Sequence, residues 1–426
     1  MPTAASTSVR FFQRLMEGEL TLDELEQRLQ PRPGQVPPAF PAGARLTSEV
    51  LGKRLKRLSA ATASAEPELC DTWTRERMDR YAHNIENFVG TVKLPIGIAG
   101  PLRVNGLFAH GDFLIPLATT EAALVASYHR GARLLSAAGG CSVAMLNESV
   151  NRTPAFSFRK IADAGRFIHW VLERLETFRA IVEGSSHYAK LVDVGFMGEG
   201  NHVYVNFQFL TGDAAGQNMV TIATQRIFDE ILATTPVAPV EAYVEGNLSG
   251  DKKASAQAFN TVRGKKVSAE VRLTAELIQK FLHCSPKAMA DYWKMSAVGG
   301  ILSGTLGIQG HYANGLAALF IATGQDAACV AESAMGVTRF EVDEGGGLYA
   351  AVTLPNLVVG TVGGGTGLPA QRACLEILGL AGEGKSAALA EVCGALVLAG
   401  ELSIIGAMAA GQFTRAHEKL ARKASR

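Results

Sequence analysis

The run "EVCGALVLAGELSIIGAMAAG" (391–411) constrains the fold most. It is apolar on every face, so it has no solvated side and must lie inside something. Glu391 and Glu401 bound its longest apolar window, which is too short to span a bilayer. The run is therefore predicted to be a helix buried at the centre of a soluble core. A chain of 426 residues with 47% hydrophobic and 19% charged content can build such a core, in two or three domains.

Other segments read locally. "TLDELEQRL" pairs Thr21 with Glu24 at capping-box spacing, with Leu22, Leu25 and Leu29 on one helix face. The prolines of residues 31–41 forbid regular helix, so this piece is a linker. The arm before it either docks on a partner subunit or packs on its own chain. "HVYVNFQFL" alternates as a strand, "GDAAGQN" turns, and "MVTIATQRIFDEIL" is helical. "LYAAVTLPNLVVGTVGGGTG" is a strand running into a glycine loop, and Pro369 opens a helix. The class is α/β or α+β.

A net charge of +1 argues against a general nucleic-acid binder. The six cysteines form no CxxC or Cys/His cluster, so neither a disulfide framework nor a metal site is expected, and the setting is cytoplasmic. The N-terminus lacks a signal-peptide hydrophobic region, and the absence of acids before Glu17 leaves organelle targeting open.

Five constellations carry chemistry. "EGNLSGDKKASAQ" sets Asp251, Lys252 and Lys253 among small residues; it is a surface turn or a site that aims a fixed cation at an oxyanion. "TTEAALVAS" leads Glu121 toward an apolar helix, where it is either a helix-start acid or a desolvated proton donor. Arg130 and Arg133 are spaced to grip phosphate or are simply exposed. In "GHYANGLAALFIATGQDAACVAE", Asp326 is expected to be buried and to need a lysine partner, unless it serves structure alone. If that helix ran unbroken, Asn314 and Asp326 would lie about 18 Å apart. They would then share a site only across a subunit boundary, or if the helix broke near Gly324. The loops "GDAAGQN" and "GTVGGGTG" offer backbone amides to an anion, without a Rossmann fingerprint. His417 lies in a polar tail, either merely exposed or on a flap that enters a site late.

In this order, Glu121, "GDAAGQNM", "GDKK", "GQDAA", "GTVGGGTG" and a near-terminal histidine resemble the 3-hydroxy-3-methylglutaryl-CoA (HMG-CoA) reductase family. "ENFVGTVKLPIGIAGPLRVNG" (86–106), "PLATTEAALVAS" (116–127) and "LAGELSIIGAMAAGQ" (398–412) extend the resemblance over residues 70–426. "AGPL" and "GQDAA" look like the class I group, which includes soluble bacterial and archaeal members.

The resemblance implies an α+β fold. A large HMG-CoA-binding domain (66–153 and 244–410) would hold the long buried helix and carry an inserted ferredoxin-like dinucleotide-binding domain (154–243), not a Rossmann fold. A helical arm and linker (1–65) and a C-terminal flap (411–426) complete it. It implies two hydride reductions of the thioester to mevalonate, using NADPH with NADH left open, in a homodimer whose sites lie between subunits. Glu121, Lys252, Asp326 and His417 match the catalytic set. Arg152, Lys253 and Lys294 match the cations on the substrate carboxylate, Asp251, Asn314 and His311 match polar contacts near the substrate, and Arg130 and Arg133 look like contacts to the CoA phosphates. Asp213, Ala214, Ala215, Gly216, Gln217 and Asn218 match the dinucleotide loop, with Gly363, Gly364 and Gly365 as a second loop. Ser186 and His187 fall where relatives meet the 2′-phosphate, with His187 in place of arginine. Glu245 stands where relatives carry a serine that binds the substrate carboxylate, and two carboxylates there would repel. That departure keeps two alternatives open: another acyl-CoA thioester as substrate, and a non-catalytic homologue.

Overall fold

The computed structural model describes residues 21–34, 36–43, 45–59 and 68–411. The chain forms two compact units, one through Thr91 and one from Val92. In the first, α1 (Leu22–Leu29) begins with the predicted capping box: Thr21 accepts from the Glu24 amide, and Glu24 accepts from the Thr21 amide at 2.8 Å. Helices α2 (Ser48–Ser59) and α3 (Thr72–Glu76) follow. The buried Arg54 guanidinium of α2 donates to the carbonyls of Pro41, Gly43 and Phe88, so a buried cation is satisfied by backbone oxygens alone.

The second unit is α+β. Its elements are β1 (Ile96–Gly106), β2 (His110–Ala118), α4 (Leu124–Ala137), β3 (Cys141–Arg152), β4 (Ala155–Ser157), α5 (Ile161–Glu173), α6 (Leu175–Glu183), β5 (Lys190–Glu199), β6 (His202–Leu210), α7 (Gln217–Thr234) and β7 (Glu241–Tyr243). Then come β8 (Gly264–Leu273), α8 (Ala275–Leu282), α9 (Pro286–Ser303), β9 (Gly307–Ile308), α10 (Tyr312–Thr323), α11 (Val330–Ser333), β10 (Gly336–Val342), β11 (Leu348–Leu357), α12 (Pro369–Ile377) and α13 (Ser386–Ala409). The strands form one mixed sheet in the order β7-β4-β6-β3-β8-β11-β10-β9, with β1 against β2 and β3, and β5 against β6. The strand read from "HVYVNFQFL" is β6, and the helix read after it is α7.

The apolar run is α13, packed on β3, β8, β11 and α4. It is long and apolar enough to cross a membrane, but the protein's own sheet and helices bury it. A Cβ on Gly131 of α4 would meet the Ala399 carbonyl oxygen at 1.9 Å, so only glycine permits that approach. The two glutamates inside α13 are explained by their donors. Glu391 accepts from the amides of Leu107, Phe108, Ala109 and Met145, pinning the β1–β2 turn and β3 to the helix. Glu401 accepts from the amides of Gly310 and His311 and from the Thr338 hydroxyl, pinning the start of α10.

A second core, rich in phenylalanine, gathers β4, α5, α6, β5, β6 and α7 around Phe156, Phe167, Phe178 and Phe207. Its strands lie in the order β7-β4-β6-β5, all antiparallel.

Candidate active site

The loop after β7 carries Lys252 in a left-handed backbone conformation, φ 56°, unusual for a residue with a side chain. It is held there because its amide donates to Glu332 Oε1 at 3.1 Å. Its Nζ lies 2.7 Å from Asp326 Oδ2, with the two side chains 41% and 40% exposed. The hydrogen bond that Lys252 donates to Asp326 raises the lysine pKa against the opposing effect of burial, so the side chain stays an ammonium.

Asp326 itself corrects an expectation. It is neither inside the apolar helix nor buried. Helix α10 stops at Thr323 because Gly324 adopts φ 71°, a left-handed cap. A Cβ at Gly324 would meet the Gly365 carbonyl oxygen at 2.3 Å. Beyond the break Gln325 clasps the Gly360 amide and carbonyl, and Asp326 caps the short 3-10 turn Ala327–Cys329 through the Ala328 amide. One carboxylate oxygen serves the turn and the other serves Lys252.

Behind the lysine lies an ionic cluster. Arg152 Nη1 donates to Asp251 Oδ2 at 2.9 Å and to Glu245 Oε2 at 3.2 Å. Arg263, 2% exposed, donates to Asp251 and to both oxygens of the fully buried Glu332. Burial would raise the Asp251 pKa, but Arg263 and Arg152 outweigh it and hold the carboxyl below its ordinary value. In this structure the Glu245 carboxylate sits on Arg152, one of the cations expected to take the substrate carboxylate. Sequence reasoning missed Arg263 and Glu332. Glu332 had a signal, since it is the other acid in the same apolar stretch that drew attention to Asp326. Lys253 is exposed and reaches only the Asp251 carbonyl, at 2.9 Å.

The second half lies at the other end of α10. Glu121 was expected at the start of an apolar helix, as a helix-start acid or a desolvated proton donor; it is exposed in a loop, because α4 begins only at Leu124 after a left-handed Ala123. Its Oε2 accepts from Asn314 Nδ2 at 2.8 Å. His311 caps α10 and stacks on Tyr128 with ring centroids 4.7 Å apart. Its Nδ1 is buried without a partner, and burial pushes its pKa down against the pull of Glu121. The Tyr128 hydroxyl donates to the His311 carbonyl and accepts from the Gly315 amide. Beneath them burial lifts the Glu401 pKa to about 7, against the effect of its three donors. Glu121, Arg130, His311, Asn314, Ile404 and Met408 line a cavity of about 490 Å³. The Arg130 guanidinium is bonded to Ser403 through its hydroxyl and carbonyl, while Arg133 is exposed over the Phe281 ring.

Helix α10 is about 18 Å long and separates the halves. Among the described residues, no hydrogen bond links the Lys252 group to the Glu121 group. Lys294, on α9, is 69% exposed, faces Asp291 at 3.7 Å and joins neither half. His417 lies outside the described residues.

The glycine loops meet each other and the lysine half. Ala214 bridges Val362, and the Thr361 amide donates to the Asp213 carbonyl. Gln217 Nε2 reaches Cys329 Sγ, three residues beyond Asp326. Gly216 is the left-handed N-cap of α7, where a Cβ would come within 2.3 Å of Thr211. Among the described residues no side chain caps α7, so Gln217 and Asn218 open its first turn without a side-chain acceptor for their amides. Gly363 and Gly364 are exposed beside them and Gly365 packs on Gly324. The Asp213 carboxylate is taken up by the Gly384 and Ser386 amides, which hold it below its ordinary pKa despite burial. Ser186 accepts from the Tyr188 and Ala189 amides, closing its own turn, and His187 is exposed.

The fold thus sets a solvent-facing lysine–aspartate pair beside two joined glycine loops, an arrangement suited to an enzyme. The comparisons narrow it. The family model described as "Hydroxymethylglutaryl-coenzyme A reductase" matches residues 51–422. The reductase of Methanocaldococcus jannaschii is 38% identical over 94% of this chain and 99% of its own. That of Aeropyrum pernix is 42% identical over 86% and 88%. The class II reductase of Streptococcus pneumoniae, solved bound to NADPH, superposes with a TM-score of 0.64 at 18% identity, covering 85% of this chain and 100% of that one. The chain belongs to the hydroxymethylglutaryl-coenzyme A reductase family.

Proposed function

We propose that this chain is a class I-type reductase that converts HMG-CoA to mevalonate and CoA with NADPH. The observation that carries the reading is the 2.7 Å Lys252–Asp326 pair, set on a left-handed backbone by Glu332 and adjoining both glycine loops. Residues 213–218 and 363–365 would hold NADPH, which would supply one hydride in each of the two reductions. Lys252, kept cationic by Asp326, stabilises the oxyanion of the thioester carbonyl. Glu121, positioned by Asn314, delivers a proton to the reduced carbonyl. His417 protonates the departing thiolate. Arg152, Lys253 and Lys294 hold the distal carboxylate, Asp251 and His311 support the pocket, and Arg130 and Arg133 face the CoA phosphates.

In this reading the two halves at either end of α10 belong to two sites, each completed across a homodimer. A fixed separation of about 18 Å supports that arrangement, since a rigid helix cannot fold its ends together. Segment 154–243 serves as the inserted, ferredoxin-like dinucleotide domain; its separate core and its β7-β4-β6-β5 order support this. The class I assignment is supported by 42% identity to an archaeal reductase against 18% to the class II structure. A cytoplasmic setting is consistent with free cysteines throughout the described residues. The test is to assay HMG-CoA with NADPH and with NADH, using Lys252→Ala as control. Oxidation of cofactor that the variant abolishes is expected; no turnover with either cofactor overturns the reading.

A further inference from the structure

We infer that Glu245 is an internal stand-in for the substrate's distal carboxylate: it occupies Arg152 in the free enzyme and must give it up when substrate binds. The inference rests on the proposed function and adds a specificity-setting residue to it. Three observations carry it. First, Arg152 Nη1 is shared unequally, at 2.9 Å to Asp251 and 3.2 Å to Glu245. Asp251 is also anchored by Arg263 at 2.8 Å, whereas Glu245 has no second cation. Second, both partners are incompletely satisfied: Glu245 Oε1 and Arg152 Nε are buried without a hydrogen bond. A desolvated oxygen and a desolvated N–H left unpaired raise the free energy of this arrangement, so an exchange that frees Glu245 to water and offers Arg152 a better acceptor is favoured. Third, the charges leave no room for another anion. The carboxylates of Glu245, Asp251, Asp326 and Glu332 face the cations of Arg152, Lys252 and Arg263. Lys253 at best brings the group to neutrality. A substrate carboxylate added beside Glu245 would meet like charge, and among the described residues of this group only the exposed Lys253 pairs with no carboxylate.

The backbone limits how the exchange happens. Gly246 donates to the Thr153 carbonyl at 2.7 Å, and a Cβ there would lie 2.6 Å from Ala155. The chain is therefore fixed next to Glu245, and only its side chain, 28% exposed, can swing out. Arg152, with a side chain 9% exposed, stays. Glu245 thus sets the affinity for an acyl-CoA bearing a distal carboxylate, acting on binding more than on the chemical step.

The experiment measures calorimetric Kd for HMG-CoA without cofactor, and KM and kcat with NADPH, in wild type, Glu245→Gln and Glu245→Ser. Free CoA, which lacks the carboxylate, is the binding control, and thermal melting checks folding. Both variants are expected to bind HMG-CoA on the order of tenfold tighter, as removal of a nearby like charge predicts, with CoA affinity unchanged and the kinetic effect in KM. Equal or weaker HMG-CoA binding in folded variants overturns the inference, because Glu245 then supports Arg152 rather than competing for it. Tighter binding in the variants without turnover in any protein sustains the inference and rejects the reductase reading. No binding by any of the three rejects both.

Discussion

Around Lys252 the groups are tied by ion pairs on irregular backbone; around Glu121 they are tied by amides, a tyrosine hydroxyl and the packed start of a helix. Arg152, Arg263, Asp251 and Glu332 hold the first region through charge, with Arg263 and Glu332 almost wholly out of water. Glu401, Tyr128 and the N-terminus of α10 hold the second, where each acceptor meets a neutral donor. The difference matches what each would present in the proposed reaction. A cation aimed at a developing oxyanion needs fixed countercharge behind it, or its own field would pull in the wrong anion. A carboxyl that exchanges protons needs contact with solvent and a neutral neighbour, which Asn314 provides.

The comparison can be broken first at Glu332. Glu332→Ala leaves the Arg263 guanidinium buried with only Asp251, and a loss of about 3–5 kcal/mol in urea unfolding is expected. A loss below about 1 kcal/mol would mean that charge is not what holds the lysine region. Lys252→Ala should behave oppositely. Its pair is about two-fifths exposed, so stability should move by less than about 1 kcal/mol, while kcat falls by roughly 10²–10³. Denaturation and steady-state kinetics on one preparation separate the two effects.

The Glu121 region contributes a pH dependence through Glu401. Its folded pKa of about 7 lies above the ordinary 4.5. Between those values the folded state keeps a proton that the unfolded chain has lost. Stability therefore falls as pH rises through that window, by up to about 3 kcal/mol, and levels off above it. Glu401→Gln should flatten this component, since an amide can still accept from the His311 amide and donate to Thr338. Chemical denaturation at pH 5 and pH 8 checks it; an unchanged slope in the variant would show that another group titrates. The smallest effect is expected from Asn314→Ala, which removes the 2.8 Å bond to Glu121. A loss of about 1 kcal/mol, or five- to tenfold in kcat/KM, should appear with no change in stability. A null result would leave Glu121 positioned by its own loop.

Much of the frame was legible before the structure. The apolar run had to be a buried helix, "HVYVNFQFL" had to be a strand, and Thr21 with Glu24 had to open a helix, because each pattern is set by residues within a turn or two of one another. The candidate site was legible in its residue types but not in its pairings. Glu245 was read as a threat to substrate and proved to be the partner of Arg152. Asp326 was placed in an apolar stretch whose helix either ran on or broke near Gly324, and the structure takes the break: Gly324 ends the helix with the Gly365 carbonyl pressed against it, a contact set by a distant segment.

The sequence by itself determined several helices and strands, the central buried helix and the gathering of two acids and two lysines in "EGNLSGDKK", since periodicity and composition are local properties. Only the tertiary structure decided that Glu391 and Glu401 would be stitched to distant amides, that Arg263 would neutralise Glu332, and that Arg152 would be engaged before any substrate arrives. The physical reason is that the energy of a charge depends on distance and on exclusion of water, and both are set by segments far apart in the chain.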